Sequence, residues 1–293
     1  MRILGCFKVV SDYDLVADED WTPDEQLHID TGYVKILWNC YDEGALEMML
    51  KLSDLSEGFG VVYELNALTV GKKKHENFLK TLYALGFEHA VRAESEEEKV
   101  FVPEEIAGIV ASYVQKEQKQ DVIVMGTGSS DGNNRKTPYL TAEKLGWPCI
   151  AQVVGMEPVD EEHLKVISET ADGKRIWTVK TPCVLAVGNA PCAYLRVPTL
   201  KDKMSRGKRP IEYVTEIPEE KEDSGVELVD LHVVEHSRDA EVIEAKTPEE
   251  KAALKKLAAS EGITLTQFLV KPCNTMDTRC GADRSRQQLE DVL

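Results

Sequence analysis

Strand-like and helix-like patterns alternate along the first two-thirds of the chain. Ile3-Leu-Gly-Cys-Phe-Lys-Val-Val10 is apolar almost throughout, as expected of a strand covered on both faces. Glu43 to Leu52 predicts a helix, with Leu46, Met49 and Leu50 along one side. Tyr63 to Val70 predicts a second strand ending at Gly71, and His75 to Leu85 a helix closed by Gly86. Ala90 to Ala93 is a short strand. Pro103 opens the next helix, with Glu104 and Glu105 where the helix dipole favours acidic groups and Ile106, Ile109, Val110 and Tyr113 as its buried stripe. Asp121-Val-Ile-Val-Met-Gly126 is another buried strand, followed by a helical segment from Tyr139 to Leu145. This alternation argues for a parallel sheet with helices on both faces, an α/β architecture.

The pattern changes near residue 150. Ile150–Val154, His163–Ile167, Lys174–Val179 and Cys183–Val187 are four strand-like runs with turn residues between them, and Asp172-Gly173 is a hairpin signal. Basic residues then cluster at Lys201, Lys203, Arg206, Lys208 and Arg209. Glu216 to Asp223 is acidic and contains Pro218, which ends the α/β domain near residue 217. The remainder, 218–293, has the character of an extended arm. Thr247-Pro-Glu-Glu250 supplies a helix N-cap, a proline at the first helical position and acidic residues behind it.

Charge narrows the function classes. The chain of 293 residues has a formal net charge of −17, which argues against general nucleic-acid binding and against an anionic membrane surface. No apolar run approaches the roughly 20 residues of a membrane span, and the N-terminal run is too short and too soon interrupted for a signal peptide. The expectation is a cytoplasmic protein. Seven cysteines without a C-x-x-C pair fit reduced thiols. Cys6, Cys149 and Cys183 sit in apolar runs as small core residues, while Cys273 and Cys280 lack two further ligands at metal-site spacing. His232 and His236 lie four apart in a strand-like stretch and form no metal motif. No metal site is expected.

In sheets of this kind ligands lie beyond the carboxyl ends of the strands. Three loops qualify: Ser11-Asp-Tyr13, Gly71-Lys-Lys-Lys74, and Gly126-Thr-Gly-Ser-Ser-Asp131-Gly-Asn-Asn-Arg-Lys136-Thr-Pro138. The last is the most informative. A strand, a polar loop of small residues and a helix N-terminus form an anion cradle, because backbone N–H groups and the helix dipole face the ligand. Arg135 and Lys136 add two cations.

Four segments give a resemblance to a known family. They are Ile3 to Lys8 with Asp12, then Asn39-Cys-Tyr-Asp42-Glu-Gly-Ala-Leu-Glu47, then Gly126 through Trp147-Pro148 without a gap, and finally Val197-Pro-Thr-Leu200-Lys-Asp-Lys-Met204 with its basic run. Over roughly its first 215 residues the chain resembles the beta subunit of electron-transfer flavoproteins, as a divergent member. The resemblance implies a Rossmann-like adenine-nucleotide-binding domain over 1–217, with a partner-docking loop at 194–210. It also implies an arm, 218–293, that packs on the alpha subunit of a heterodimer. The alpha subunit would hold most of an FAD that the beta subunit helps to shield. The beta site would take AMP or a second FAD. Electrons would come from a flavin-dependent dehydrogenase, of the acyl-CoA dehydrogenase kind, and leave to a downstream acceptor. Such a subunit is an electron carrier without a catalytic cycle of its own.

Carried over by position, Cys6, Asn39, Cys40, Tyr41, Asp42 and Val70 would lie by the adenine and ribose. Gly126 and Asp131-Gly132-Asn133-Asn134-Arg135-Lys136-Thr137 would wrap the phosphate. Tyr13 would approach the alpha-bound flavin, and Leu200, Lys201, Lys203 and Met204 would dock the dehydrogenase. Core packing for Cys6 and Val70, and helix-dipole stabilisation for Asp42, account equally for those residues. The chain departs from the family pattern in several places: Lys136 replaces a Gln, Gly128-Ser-Ser130 replaces Gln-Ala-Ile, and Cys40 replaces a Pro. Two other functions fit an anion loop on this fold. One is a universal-stress-type nucleotide sensor, which leaves the basic loop and the arm unexplained. The other is an ATP-cleaving enzyme, for which no Gly-x-x-x-x-Gly-Lys-Ser/Thr sequence is present.

Overall fold

The computed structural model describes residues 1–25, 27–95, 100–192 and 194–215, with 228–231 and positions 247, 249, 252, 253 and 256. Contacts divide the chain into two units, Met1–Val233 and Val234–Leu293. In the second unit Glu249, Ala252, Ala253 and Lys256 are helical, where the signal at Thr247 placed a helix. Beyond these positions the arm expected over 218–293, with His232, His236, Cys273 and Cys280, lies outside the described residues, as does the boundary near 217.

The first unit is built on a nine-stranded sheet. At its centre are β1 (Arg2–Cys6), β4 (Glu64–Gly71) and β6 (Val122–Gly126), flanked by β5 (His89–Glu94) and β10 (Cys183–Val187). Then come β11 (Glu212–Tyr213) at one edge and β7 (Cys149–Pro158), β8 (His163–Thr170) and β9 (Gly173–Lys180) at the other. The order is β11-β5-β4-β1-β6-β10-β7-β8-β9. All neighbours from β11 to β7 run parallel, and β8 and β9 follow as an antiparallel hairpin. Gly173 has φ 119° and closes the turn that Asp172-Gly173 signalled.

Burial follows the period of two. In β1, Ile3 packs on one face with Leu46 and Met49, and Leu4 and Cys6 pack on the other with Ile109, Val110 and Tyr113. The central strand β6 does the same: Val122 and Val124 go one way, Ile123 and Met125 the other. The helices α1 (Cys40–Leu55) and α2 (Glu76–Leu85) cover the first face, and α3 (Pro103–Ser112) and α4 (Thr137–Leu145) the second. A Cβ on Gly5 would lie 2.8 Å from both Leu46 Cδ2 and Met49 Sδ, so α1 approaches β1 as closely as a bare backbone permits.

The predicted strand over 3–10 is in fact two strands in different sheets. After Cys6 the chain leaves the main sheet, and β2 (Val9–Ser11) pairs antiparallel with β3 (Ile36–Trp38). Phe7 N–H still reaches Leu68 O, but Lys8 N–H turns to the carboxylate of Asp42. Trp38 fixes the small ribbon by packing tilted against Phe7 at 5.0 Å and meeting Phe78 edge-on at 4.7 Å. Two more findings go beyond the sequence pattern. Helix α1 starts at Cys40, ahead of the predicted Glu43, and the segment expected as a docking loop contains a short helix, α5 (Leu200–Ser205), capped by the Thr199 hydroxyl.

Candidate functional site

The chain runs from β1 to β4 to β5 on one side of the sheet, then crosses to β6 and on to β7, β8 and β9 on the other, with β10 returning between β6 and β7. The switch falls between β1 and β6, and a cleft opens there at the strand ends. The loops after β1, β4 and β6 wall it, and α3 adds Pro103, Ile106 and Val110.

Asp42 organises the centre of the cleft. It lies in the first turn of α1 and is 5% exposed. Its Oδ2 accepts from Lys8 N–H and from Asn39 Nδ2, each at 2.9 Å, and its Oδ1 accepts from Gly126 N–H at 2.6 Å. One carboxylate therefore ties the end of β1, the end of β6 and the start of α1 together. Burial pushes its carboxyl up to about 6, although the hydrogen bonds from Asn39, Lys8 and Gly126 pull the other way. Asn39 Nδ2 also donates to Gly128 O at 2.7 Å. Asn39 is 1% exposed, and its Oδ1 has no hydrogen-bond partner among the described residues. That is a buried acceptor in the wall of a cleft, available to a ligand amino or hydroxyl group.

The phosphate-type loop is held from behind. Asn134 Nδ2 donates to Val100 O at 2.6 Å, and Arg135 Nε donates to Asn133 Oδ1 at 2.9 Å. Asn133 and Arg135 have φ of 44° and 56°, left-handed conformations that are costly for residues other than glycine. The loop ends at Lys136, the N-cap of α4, whose side chain makes no capping hydrogen bond. Arg135 and Lys136 thus sit at the positive end of a helix whose first N–H groups have no side-chain cap, an arrangement that an anion relieves. Asp131 is occupied within the protein. It pairs with Lys8 Nζ at 2.5 Å and accepts from Gly132 N–H.

Of the residues expected at the site, Cys6, Tyr13, Asn39, Asp42, Val70, Gly126, Asp131, Asn134, Arg135, Lys136 and Thr137 line the cleft. Cys6 is buried there, and burial together with the charge of Asp42 pushes its thiol far above the ordinary value, so it stays neutral. Cys40, Tyr41, Gly132 and Asn133 do not line it. Cys40 is the exposed first residue of α1, and its thiol is likewise raised, chiefly by burial. Tyr41 backs Gly126, where a Cβ would come within 2.6 Å of both Tyr41 Cβ and Asp42 Oδ1. Gly132 lies against Val100 O, and Asn133 braces Arg135. Leu200, Lys201, Lys203 and Met204 are exposed on α5 and do not line the cleft.

Several lining residues escaped the sequence reading. Lys8 was counted as strand and enters the cleft because β1 stops at Cys6. Lys72 and Lys74 belong to the loop Gly71–Lys74, which the strand-end rule had flagged without giving them a role, and His75 had been placed at the start of the next helix. Ile106 and Val110 were foreseen as a buried stripe, and the same stripe forms a cleft wall. Among the described residues no group of acidic, cysteine and histidine side chains is placed to hold a metal. No helix there is long and apolar enough to cross a membrane.

The doubly wound sheet with its cleft at the switch point defines the class: a Rossmann-like α/β protein. Comparison with known proteins narrows it. The family described as Electron transfer flavoprotein domain matches residues 39–219. "Putative electron transfer flavoprotein subunit YgcR" of Escherichia coli (strain K12) is 32% identical over 257 residues, covering 86% of this chain and 95% of that protein. The electron transfer flavoprotein subunit beta of Homo sapiens is 27% identical over 222 residues, covering 73% of this chain and 81% of its own length. That of Bacillus subtilis (strain 168) is 28% identical over 196 residues, covering 64% and 73%. The chain belongs to the electron transfer flavoprotein family, as a divergent member of its beta-subunit branch.

Proposed function

We propose that this chain is the beta subunit of a heterodimeric electron-transfer flavoprotein, with an adenine nucleotide, AMP or a second FAD, in the cleft at the β1–β6 switch point. The carrying observation is the start of α4: two cations, Arg135 and Lys136, at a helix N-terminus without a side-chain cap, held by a loop in left-handed conformations. The unpartnered Asn39 Oδ1, beside the Gly128 stretch of the same loop, supports the same reading, since the amino group of an adenine or a ribose hydroxyl can donate to it. Asn134, Arg135, Lys136 and Thr137 would hold the phosphate, and Cys6, Val70 and Met125 would line the apolar part. Bound flavin supplies the redox chemistry; the protein positions and shields it. Tyr13, packed against Trp21 at 5.7 Å, would shield the alpha-bound FAD. Electrons pass from a flavin-dependent dehydrogenase, docked at Leu200, Lys201, Lys203 and Met204, to a downstream acceptor. The chain acts as a carrier in the cytoplasm, and its arm packs on the alpha subunit.

The test is to co-express the chain with an alpha subunit, purify the complex and count flavin and AMP after acid release. A yellow complex with one flavin and one AMP, or with two flavins, supports the proposal. A colourless complex that holds only a nucleotide returns the chain to the sensor reading.

A further inference from the structure

The cleft has a brace outside its own lining. Gly71 lines it at the end of β4, and two side chains grip its backbone. The His75 ring packs so closely against Gly71 that no Cβ would fit there. Gly71 O accepts from Arg92 Nη1 at 2.9 Å. Arg92 belongs to β5 and does not line the cleft.

Arg92 is buried, with its side chain 3% exposed, and its charge is met inside the protein. Nε lies 3.2 Å from Glu76 Oε1 and Nη2 lies 3.0 Å from Glu94 Oε1. The guanidinium carbon stands 5.1 Å from the centre of the Tyr213 ring. Tyr213 OH also donates to Glu76 Oε1, at 3.0 Å. Tyr213 is therefore joined to Glu76 and Arg92, and Arg92 is joined to the cleft wall at Gly71.

Tyr213 is half of β11, the two-residue strand at the edge of the sheet. β11 pairs with Val91 and Arg92, and Val214 N–H bonds to Arg92 O at 3.1 Å. Side chains add to this: Glu212 accepts from Tyr83 OH at 3.1 Å and faces His89 Nδ1 at 3.0 Å. A short edge strand whose tyrosine is 49% exposed opens more readily than the strands at the centre. Each opening takes the ring from Arg92 and one donor from Glu76, and so loosens the group that grips Gly71.

We propose that Tyr213 is a positioning residue for the cleft: through Arg92 it couples the seating of β11 to the filling of the cleft, so that each favours the other. This rests on the reading of the cleft as an adenine-nucleotide site. Neither residue of β11 lines the cleft. β11 follows closely on the basic segment Leu200–Arg209, so a nucleotide at the β1–β6 switch point also pins the trailing end of that segment.

The experiment combines calorimetric titration of the full-length chain, freed of bound nucleotide, with AMP and with FAD, and amide hydrogen exchange at Val214. Tyr213→Ala is expected to weaken nucleotide binding about fivefold, the low end of couplings between sites. Tyr213→Phe, which keeps the ring over Arg92, should weaken it by about twofold at most. In the unaltered chain saturating nucleotide should slow exchange at Val214 about fivefold, because the coupling is reciprocal. That measurement needs no substitution and decides the matter if Tyr213→Ala does not fold. An affinity that Tyr213→Ala leaves unchanged, one that Tyr213→Phe lowers just as far, or exchange at Val214 indifferent to nucleotide overturns the coupling and leaves the adenine site standing. Failure of both AMP and FAD to bind the unaltered chain removes the adenine site itself and this inference with it.

Discussion

Asp42 joins three elements through one side chain, and the cost of burying it has a measurable sign. A carboxyl held near 6 against 3.8 in ordinary surroundings lowers folding stability by ~3 kcal/mol once it is ionised. The folded value is raised, so the contribution of Asp42 is fully present below about pH 3.8 and is lost as pH climbs through 6. Asp42→Asn removes the titration but turns an amide N–H₂ toward a backbone donor, Gly126 N–H or Lys8 N–H. At pH 4.5 the parent carboxyl is itself protonated and turns its own O–H toward a donor, so the variant should lie within about 1 kcal/mol of the parent there, and it should gain on the parent as pH rises to 7 and Asp42 ionises. Urea midpoints at the two pH values test this; a difference that does not move in favour of the variant as pH rises removes Asp42 as a strained buried acid. Gly126→Ala attacks the same junction sterically, because its Cβ would sit 2.6 Å from Asp42 Oδ1 and Tyr41 Cβ. Backbone flanks it, so the junction must open. A loss of about 2–4 kcal/mol is expected, with a matching fall in the thermal midpoint; an unchanged midpoint contradicts the close approach.

Helix α1 links the cleft to the basic segment around α5. Its first turn carries Asn39 and Asp42, and its next two turns hold the chain entering α5. Glu43 Oε1 accepts from Leu195 N–H at 3.1 Å, and Glu47 accepts from Arg196 N–H at 3.0 Å and Nη2 at 2.9 Å. Asp54 takes the other guanidinium nitrogen at 2.8 Å. Glu47 is 6% exposed and Asp54 is open to solvent, so the two acids contribute unequally. Glu47→Gln should free the segment by about 1.4 kcal/mol, roughly tenfold faster trypsin cleavage between Lys201 and Arg209, whereas Asp54→Asn should leave cleavage nearly unchanged. Equal effects from both would place the anchor elsewhere. None of these contacts was legible in the sequence, since Glu43 and Glu47 are about 150 residues away from their partners. Local signals were legible. Pro103, Gly86 and Asp172-Gly173 mark ends and turns by backbone constraint alone, and β6 declares itself by an unbroken apolar run. The break at Phe7–Lys8 was not, because one lysine does not end the apolar run that continues through Val9 and Val10, and the cause is Asp42, brought in from another element. In the same way Arg135 and Lys136 stood out as cations beside a helix start, while Lys8, Lys72 and Lys74 join them only once β1, β4 and β6 are neighbours.

Across the whole molecule, charge is segregated. The chain is acidic, −17 overall, yet the ten residues from Leu200 to Arg209 contain Lys201, Lys203, Arg206, Lys208 and Arg209 against Asp202 alone. Arg209 is used internally, over the Tyr83 ring at 4.7 Å and near Glu88. Lys201, Lys203 and Arg206 are exposed on or beside α5, next to Val197, Leu200 and Met204, which are 83%, 74% and 58% exposed. An apolar knob ringed by cations suits a partner with an acidic rim around an apolar pocket, and the two kinds of contact should separate kinetically. Reversing Lys201 and Lys203 to Glu should slow association with the electron-donating dehydrogenase about tenfold at low salt and leave dissociation nearly unchanged, the slowing fading as ionic strength approaches 0.5 M. Leu200→Ala should instead quicken dissociation with little effect on association. Stopped-flow mixing of the assembled heterodimer with the dehydrogenase that reduces it measures both rates. If the lysine reversals act on dissociation, or if salt does not matter, the basic ring is only a solvated surface of an acidic protein that needs no steering there.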